Sequence, residues 1–360
     1  MKKRILIAPL NWGLGHATRC IPIINALIEN NFEPLIASDG TALLFLKKEF
    51  PQLKHIALPS YNIEYSEKGR STKLKLLKEL PRFLKIIKEE NNAVKKIIYR
   101  YKINGIISDN RFGVYNNKIP SVYITHQLNV LSGNTTWIST KFHQNVIKKF
   151  NECWVLDNER GYKLSGRLGH LNNPGFKTKL KYLGVLSRFN KQELNPIFDL
   201  LVLLSGPEPQ RTLLEKKLIT ELQHFSGMVL FVKGIVEKEQ SIIKKNQITF
   251  YNFMQSDELE KAINQSKLII SRSGYTTIMD LSKLEKKAFF IPTPGQFEQE
   301  YLASHLKNLK LAPYCKQDEF TLEKLKETNN YNGLKNVASI VNYKDLFCLF
   351  ESERKLATNT

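Results

Sequence analysis

The 360-residue chain carries 54 Lys and Arg against 34 Asp and Glu, a formal net charge of +20, with 42% hydrophobic and 24% charged residues. That length and balance describe a globular chain with room for two domains of ordinary size. Cys20, Cys153, Cys315 and Cys348 lie far apart without CxxC spacing, which argues against a disulfide framework or zinc site and for reduced thiols in the cytoplasm. No window approaches the roughly 20 apolar residues of a membrane span. The basic start, residues 1–4, is followed by only a short apolar run to Leu10; it reads as a buried first strand rather than a signal-peptide core. The charge by itself leaves nucleic acid, an anionic membrane surface and a phosphorylated substrate open as partners.

Apolar runs alternate with helical periodicity along the first half. Residues 4–10 read as a strand, 17–30 as a helix, 33–37 as a strand, 41–50 as a helix and 55–58 as a short strand. Two further runs, 103–108 and 121–125, end in polar residues as parallel strands do at a ligand-facing edge. Residues 152–156 read as the last strand of this half. Between Lys73 and Lys88 an amphipathic stretch sets Leu76, Leu77, Leu80, Phe83, Leu84 and Ile87 against lysines and Arg82, with Pro81 predicting a kink or break. Such a helix suits an ordinary surface and also an anionic lipid surface. A polar stretch at 187–195, before Pro196, marks a hinge, and the alternation then restarts. Strands are predicted at 200–204, 228–232, 248–251, 268–271 and 288–291, with helices at 212–224, 256–266, 276–283 and 299–306. The pattern predicts an α/β chain of two Rossmann-like doubly wound domains, residues 1–186 and residues 187–341, followed by a terminal helical segment, 342–360.

Two loops carry the chemistry. Gly13-Leu14-Gly15-His16-Ala17-Thr18-Arg19 follows the first strand and begins like a dinucleotide fingerprint, but Thr18 stands at the third glycine. With Asp39 after the second strand as a ribose acid, an NAD site is a rival reading. The second loop runs from strand 268–271 through Arg272, Ser273, Gly274, Tyr275 and Thr276 into a helix bearing Asp280. Backbone N–H groups at such a helix start suit a phosphate, and Asp280 is placed to take ribose hydroxyls. Downstream, the Pro-rich segment 291–299 brings Gln296, Glu298 and Gln299 to the same edge.

Taken together, these segments resemble the MurG-like UDP-sugar glycosyltransferases of the GT-B fold. Gly13-Leu14-Gly15-His16 is similar to their N-terminal glycine-rich loop. Residues 271–281 resemble their strand–turn–helix for the nucleotide diphosphate and ribose. Residues 292–303 resemble their proline-rich sugar-contacting loop, and 251–254, with Phe253 and Met254, the segment that reads uracil. This chain differs in having Asp280 where the family often has glutamate, Glu298 where it typically has histidine, and a loop from Ser205 to Arg211 in place of a Gly-Gly-Ser run.

The resemblance implies a GT-B enzyme with an interdomain cleft and a terminal segment, 342–360, that crosses back to the first domain. It would move a sugar, an N-acetylhexosamine, from a UDP-sugar to a hydroxyl acceptor with inversion. His16 is the candidate general base, with Asp109 as second candidate or as the group orienting it. Gly13, Gly15, Thr18, Arg19 and His126 would face sugar or acceptor, and Arg272, Arg211 and the helix start would meet the departing diphosphate. No Asp-x-Asp pair occurs, which disfavours a metal mechanism; no metal or other cofactor is expected beyond the UDP-sugar co-substrate. The acceptor reads as a glycan or lipid-linked molecule of the cell envelope, met in the cytoplasm or at the inner face of the membrane. The rivals are a UDP-sugar epimerase of the same fold, a non-enzymatic nucleotide-sugar sensor, and a nucleic-acid-binding protein. No RNP, zinc or helix-turn-helix signature supports the last, and no nucleic acid is expected as a partner.

Overall fold

The computed structural model describes residues 2–61, 73–171, 178–235, 237–339 and 341–351. In the first half β1 (Arg4–Pro9), α1 (Gly15–Glu29), β2 (Glu33–Ser38), α2 (Gly40–Glu49) and β3 (Lys54–Ala57) precede a long helix, α3 (Lys73–Tyr101). There follow β4 (Gly105–Asp109), β5 (Ser121–Thr125), α4 (Thr136–Ile147), β6 (Glu152–Val155) and β7 (Lys179–Tyr182). The sheet order is β3-β2-β1-β4-β5-β6-β7, and every pairing is parallel. All residues of β4 and β5 are buried, which is why they read as continuous apolar runs: helices cover both faces of a parallel sheet.

The second half repeats the plan with β8 (Phe198–Leu203), α5 (Gln210–Leu222), β9 (Val229–Val232), β10 (Ile242–Lys245), β11 (Ile248–Tyr251) and α6 (Ser256–Asn264). It continues through β12 (Ser266–Ser271), α7 (Tyr275–Lys283), β13 (Lys287–Phe290) and α8 (Phe297–Asn308) to a last helix, α9 (Tyr343–Glu351). Its order is β10-β11-β9-β8-β12-β13, parallel except for the β10–β11 hairpin. The molecule is thus two Rossmann-like α/β units with a cleft between them.

Three expectations need correction. The strand at 152–156 is not the last of its sheet, because β7 pairs beside it; its Lys179-Leu180-Lys181-Tyr182 is exposed or half-buried, so it lacks the apolar run of a covered strand. β10 adds an antiparallel edge whose residues are all exposed, invisible to an argument from burial. Finally, of the kink or break expected at Pro81, the break does not occur: α3 runs through it. Phe83, Ile86 and Ile87 pack beside Leu10 and Tyr61, and this tertiary packing outweighs the lost helical hydrogen bond. The side chains of residues 73–80, which open the basic stretch, lie outside the described residues.

Strand order reverses between β1 and β4 in the first sheet and between β8 and β12 in the second. Open α/β sheets bind ligands beyond the carboxyl ends of the strands at such reversal points. Here both reversal points face the cleft, and α1 packs against α7 across it. Helix α9 returns to the first sheet. Phe347 and Phe350 of α9 meet Phe32 edge-on, with ring centroids 5.7 and 6.4 Å apart, and Phe350 also meets Trp154 at 6.3 Å. The Lys3 ammonium donates to the Phe350 and Glu351 carbonyls at 3.0 and 2.7 Å. Each buried phenylalanine is worth about 1.5–3 kcal/mol of apolar transfer.

Candidate active site

β1 ends at the first reversal point, and the loop that follows turns at Gly13, whose φ of +73° is left-handed and favours glycine. Gly15 then opens α1 close to the other half: a Cβ there would lie 2.9 Å from the Thr276 hydroxyl oxygen. That hydroxyl donates to the Gly15 carbonyl at 3.2 Å. The glycine permits the two loops to meet.

In the first turn of α1, the His16 ring lies with Nδ1 3.1 Å from Asp109 Oδ1, at the end of β4. Arg19, one helical turn on, grips the same carboxylate through Nε, 2.7 Å from Oδ2, and through Nη2, which also lies 2.8 Å from His16 Nδ1. Asp109 is fully buried. Burial alone would raise its carboxyl, yet Arg19 and then His16 hold it well below the usual carboxylate range. Burial and the Arg19 charge lower His16, with Asp109 offsetting part of the effect. At neutral pH the imidazole is therefore uncharged. His16 Nδ1 can accept from Arg19 Nη2 or donate to Asp109 Oδ1 but not both; only the tautomer that donates Nδ1–H to Asp109 leaves the Nε2 lone pair free.

The structure turns two residues read as ligand-facing inward instead. Arg19 is 2% exposed and committed to Asp109. His126, after β5, is enclosed between Arg19 Nη1 at 3.2 Å and Glu298 Oε1 at 2.8 Å, stacked on Tyr275 at 4.5 Å. Thr18 caps within its own turn, donating to the Gly15 carbonyl at 3.2 Å. Asp39, the ribose acid of an NAD reading, accepts from Arg111 Nη1 at 2.6 Å and from Asn11 at 3.2 Å. With both oxygens committed to protein, that rival loses its key group.

At the second reversal point α7 starts behind Gly274 with no side-chain cap, so its first backbone N–H groups are left for a ligand. The hydroxyls beside it are engaged: Ser273 donates to the Gln299 carbonyl at 2.8 Å and Thr276 to Gly15. Gln299 Oε1 in turn accepts from the Thr293 amide at 2.8 Å, tying the Pro-rich loop to the turn. Gln296 stands at the N-cap of α8. The Nη groups of Arg272 are committed to protein, while its buried Nε has no hydrogen-bond partner among the described residues. Its guanidinium, 1% exposed, donates to the carbonyls of Ile291, Pro292 and Gln210 and to Gln317 Oε1. All four partners are neutral, and burial pulls its pKa down to about 10. A cation thus sits uncompensated directly behind the turn.

Arg211 is likewise held by protein, between Glu208 at 2.7 Å and Glu215 at 2.8 Å. Both backbone polar groups of Phe253 are taken: its amide donates to Asn252 Oδ1 at 2.9 Å and its carbonyl accepts from Gln240 at 3.0 Å. Met254 packs against the core. Asp280 Oδ1 accepts from the Ser187 hydroxyl at 2.6 Å, and burial pushes its carboxyl up to about 6 against the pull of Arg188. Sequence reading missed Gln127, which reaches Glu298 at 2.5 Å, and the buried Arg111–Glu90–Tyr61 group behind β4. Only their position in the fold reveals them. Among the described residues no group of three or more His, Cys, Asp or Glu side chains is arranged to hold a metal ion, and no helix is long and apolar enough to cross a membrane.

Two Rossmann-like units with their reversal points facing across one cleft define the GT-B architecture. A model of the glycosyltransferase family 28 C-terminal domain matches residues 210–334. Over 343 residues the chain is 23% identical to the UDP-N-acetylglucosamine--N-acetylmuramyl-(pentapeptide) pyrophosphoryl-undecaprenol N-acetylglucosamine transferase of Haemophilus ducreyi, covering 90% of this chain and 88% of that protein. The enzyme of the same name from Clostridium tetani is also 23% identical, covering 95% and 98%. The crystal structure of MurG from Acinetobacter baumannii superposes with a TM-score of 0.55 at 13% identity, covering 98% and 99%. The chain is a GT-B glycosyltransferase related to the MurG-like family.

Proposed function

We propose that the enzyme transfers an N-acetylhexosamine from a UDP-sugar to a hydroxyl acceptor with inversion at the anomeric carbon. Residues 1–186 would bind acceptor and 187–341 donor. The observation that carries this reading is the placement of a neutral, Asp109-oriented His16 across the cleft from the uncapped start of α7, with Gly15 and Thr276 in contact between them. The acceptor oxygen attacks the anomeric carbon while His16 Nε2 takes its proton. The bond to the UDP oxygen breaks, and the charge arriving on the diphosphate meets the α7 N–H groups. Arg272 contributes through its field: a buried cation without a counter-ion is costly, and one behind an anion site lowers the energy of the departing charge.

The names of the relatives include a UDP-N-acetylglucosamine donor and a polyprenyl-linked acceptor, which supports the donor class and a lipid-linked or glycan acceptor of the cell envelope. Such an acceptor would be met at the cytoplasmic face of the membrane.

A screen of nucleotide sugars, read by released UDP in the presence of lipid-linked glycan acceptors, tests the reading. The expected result is a preference for UDP-N-acetylhexosamines, with His16→Ala abolishing turnover while UDP still binds. Unchanged turnover in that variant would remove His16 as base. A changed sugar released without acceptor would replace transfer by epimerisation.

A further inference from the structure

Helix α8 carries Glu298, Tyr301 and His305 at i, i+3 and i+7, which places them on one face. That face lies against the first half. The Tyr301 hydroxyl accepts from the Arg167 amide at 2.8 Å, and the Arg167 guanidinium covers the Tyr301 ring at 4.8 Å. His305 Nε2 lies 2.7 Å from the Lys163 carbonyl. At the end nearest the chemistry, Glu298 takes His126 Nε2 at 2.8 Å and the Gln127 amide at 2.5 Å.

Glu298 Oε1, 2.8 Å from His126 Nε2, calls for a proton there, and it lies nearer than the Gln127 amide nitrogen, 3.4 Å from the same atom. Arg19 Nη1 lies 3.2 Å from Nδ1, and a guanidinium only donates. Nδ1 therefore accepts, the ring proton sits on Nε2, and Nε2–H donates to Glu298. One unbroken line of side chains then joins the two halves: Glu298, His126, Arg19, Asp109, His16.

We infer that Glu298 is a positioning residue. Its carboxylate, brought in by the docked face of α8, fixes His126 in the Nε2–H form and so holds Arg19 along Asp109, which orients His16. Closure of the donor half is thereby coupled to assembly of the proton-accepting group in the other half. Its catalytic consequence rests on the transfer reading; the proton placement does not.

The test joins two readouts on the full chain. Histidine nitrogen and imidazole-proton NMR, with His126 assigned by the signal missing in His126→Gln, should give a neutral Nε2–H ring. Its proton should exchange slowly, exchange freely in Glu298→Ala, and be protected again in Glu298→Gln, which keeps an acceptor. A proton on Nδ1, or a signal indifferent to Glu298→Ala, overturns the inference. In kinetics, Glu298→Ala and His126→Ala should each lower kcat about 10- to 100-fold, the scale of a misplaced catalytic group, with donor KM moving less. The double variant should be no worse than the poorer single one, because both break one contact. Multiplicative losses, or an effect on KM alone, overturn it. Failure of the unaltered protein to turn over any UDP-sugar sinks the transfer reading while the NMR outcome still decides the contact.

Discussion

His16 must be neutral before it can take a proton, and its surroundings arrange this. Burial, then the Arg19 charge, keep its pKa below the ordinary 6.5. Activity that needs the free base is lost as pH falls through that pKa, so the acid limb of kcat/KM should lie below pH 6.5. A pH–rate profile that places the limb above 7 would contradict the neutral imidazole. Asp280 has the opposite sign. Its carboxyl, pushed up to about 6 from the ordinary 3.8, makes the fold prefer the protonated form and lose stability as pH rises between the two values. Asp280→Asn, which keeps the oxygen that accepts from Ser187, should raise the Tm at pH 7.5 and change it little at pH 4. Equal shifts at both pH values in thermal denaturation would argue against a burdened carboxylate. His16 and Asp109 were legible as chemistry because each ends a strand or opens a helix at a ligand-facing edge. Arg19 and Arg272 were legible only as positive charge; which way a guanidinium turns depends on carboxylates and carbonyls brought from about 90 residues away or across a loop.

At the level of elements, the alternation of strand and helix was readable wherever a strand is covered on both faces. Covered strands such as β4 and β5 announce themselves by apolar runs, whereas β7 and β10, which form edges, keep lysines and lie outside that signal. Helix α4, Thr136–Ile147, escaped for another reason: its β-branched and polar residues give little helical pattern, and only His143, Val146 and Ile147 are buried. The seat of α9 makes a sharp prediction. A Cβ on Gly105 would lie 2.4 Å from Phe350 Cδ1 and 3.0 Å from Ile5 Cδ1. Gly105→Ala should therefore destabilise the protein by about 1–3 kcal/mol through overpacking. A melting curve indistinguishable from that of the unaltered protein would show that α9 yields without cost.

Across the whole molecule the excess of 20 positive charges repels itself, and salt screens such repulsion over roughly 10 Å at 0.1 M. The buried Arg19–Asp109 and Arg111–Glu90 pairs are shielded from added ions, so the surface term dominates the response. Tm should rise as sodium chloride increases from low to moderate concentration; a fall would mean that attractive surface pairs outweigh the repulsion. The return of α9 to the first sheet bears on how this architecture can be recombined. Phe347 and Phe350 cover Phe32 and Trp154, so the last helix completes the first half's core although the chain reaches it only after the second half. A graft that exchanges second halves after β7 would import a foreign helix against that aromatic seat. The transplantable module is therefore discontinuous: the second half can be replaced only if the native α9 stays with the half it covers.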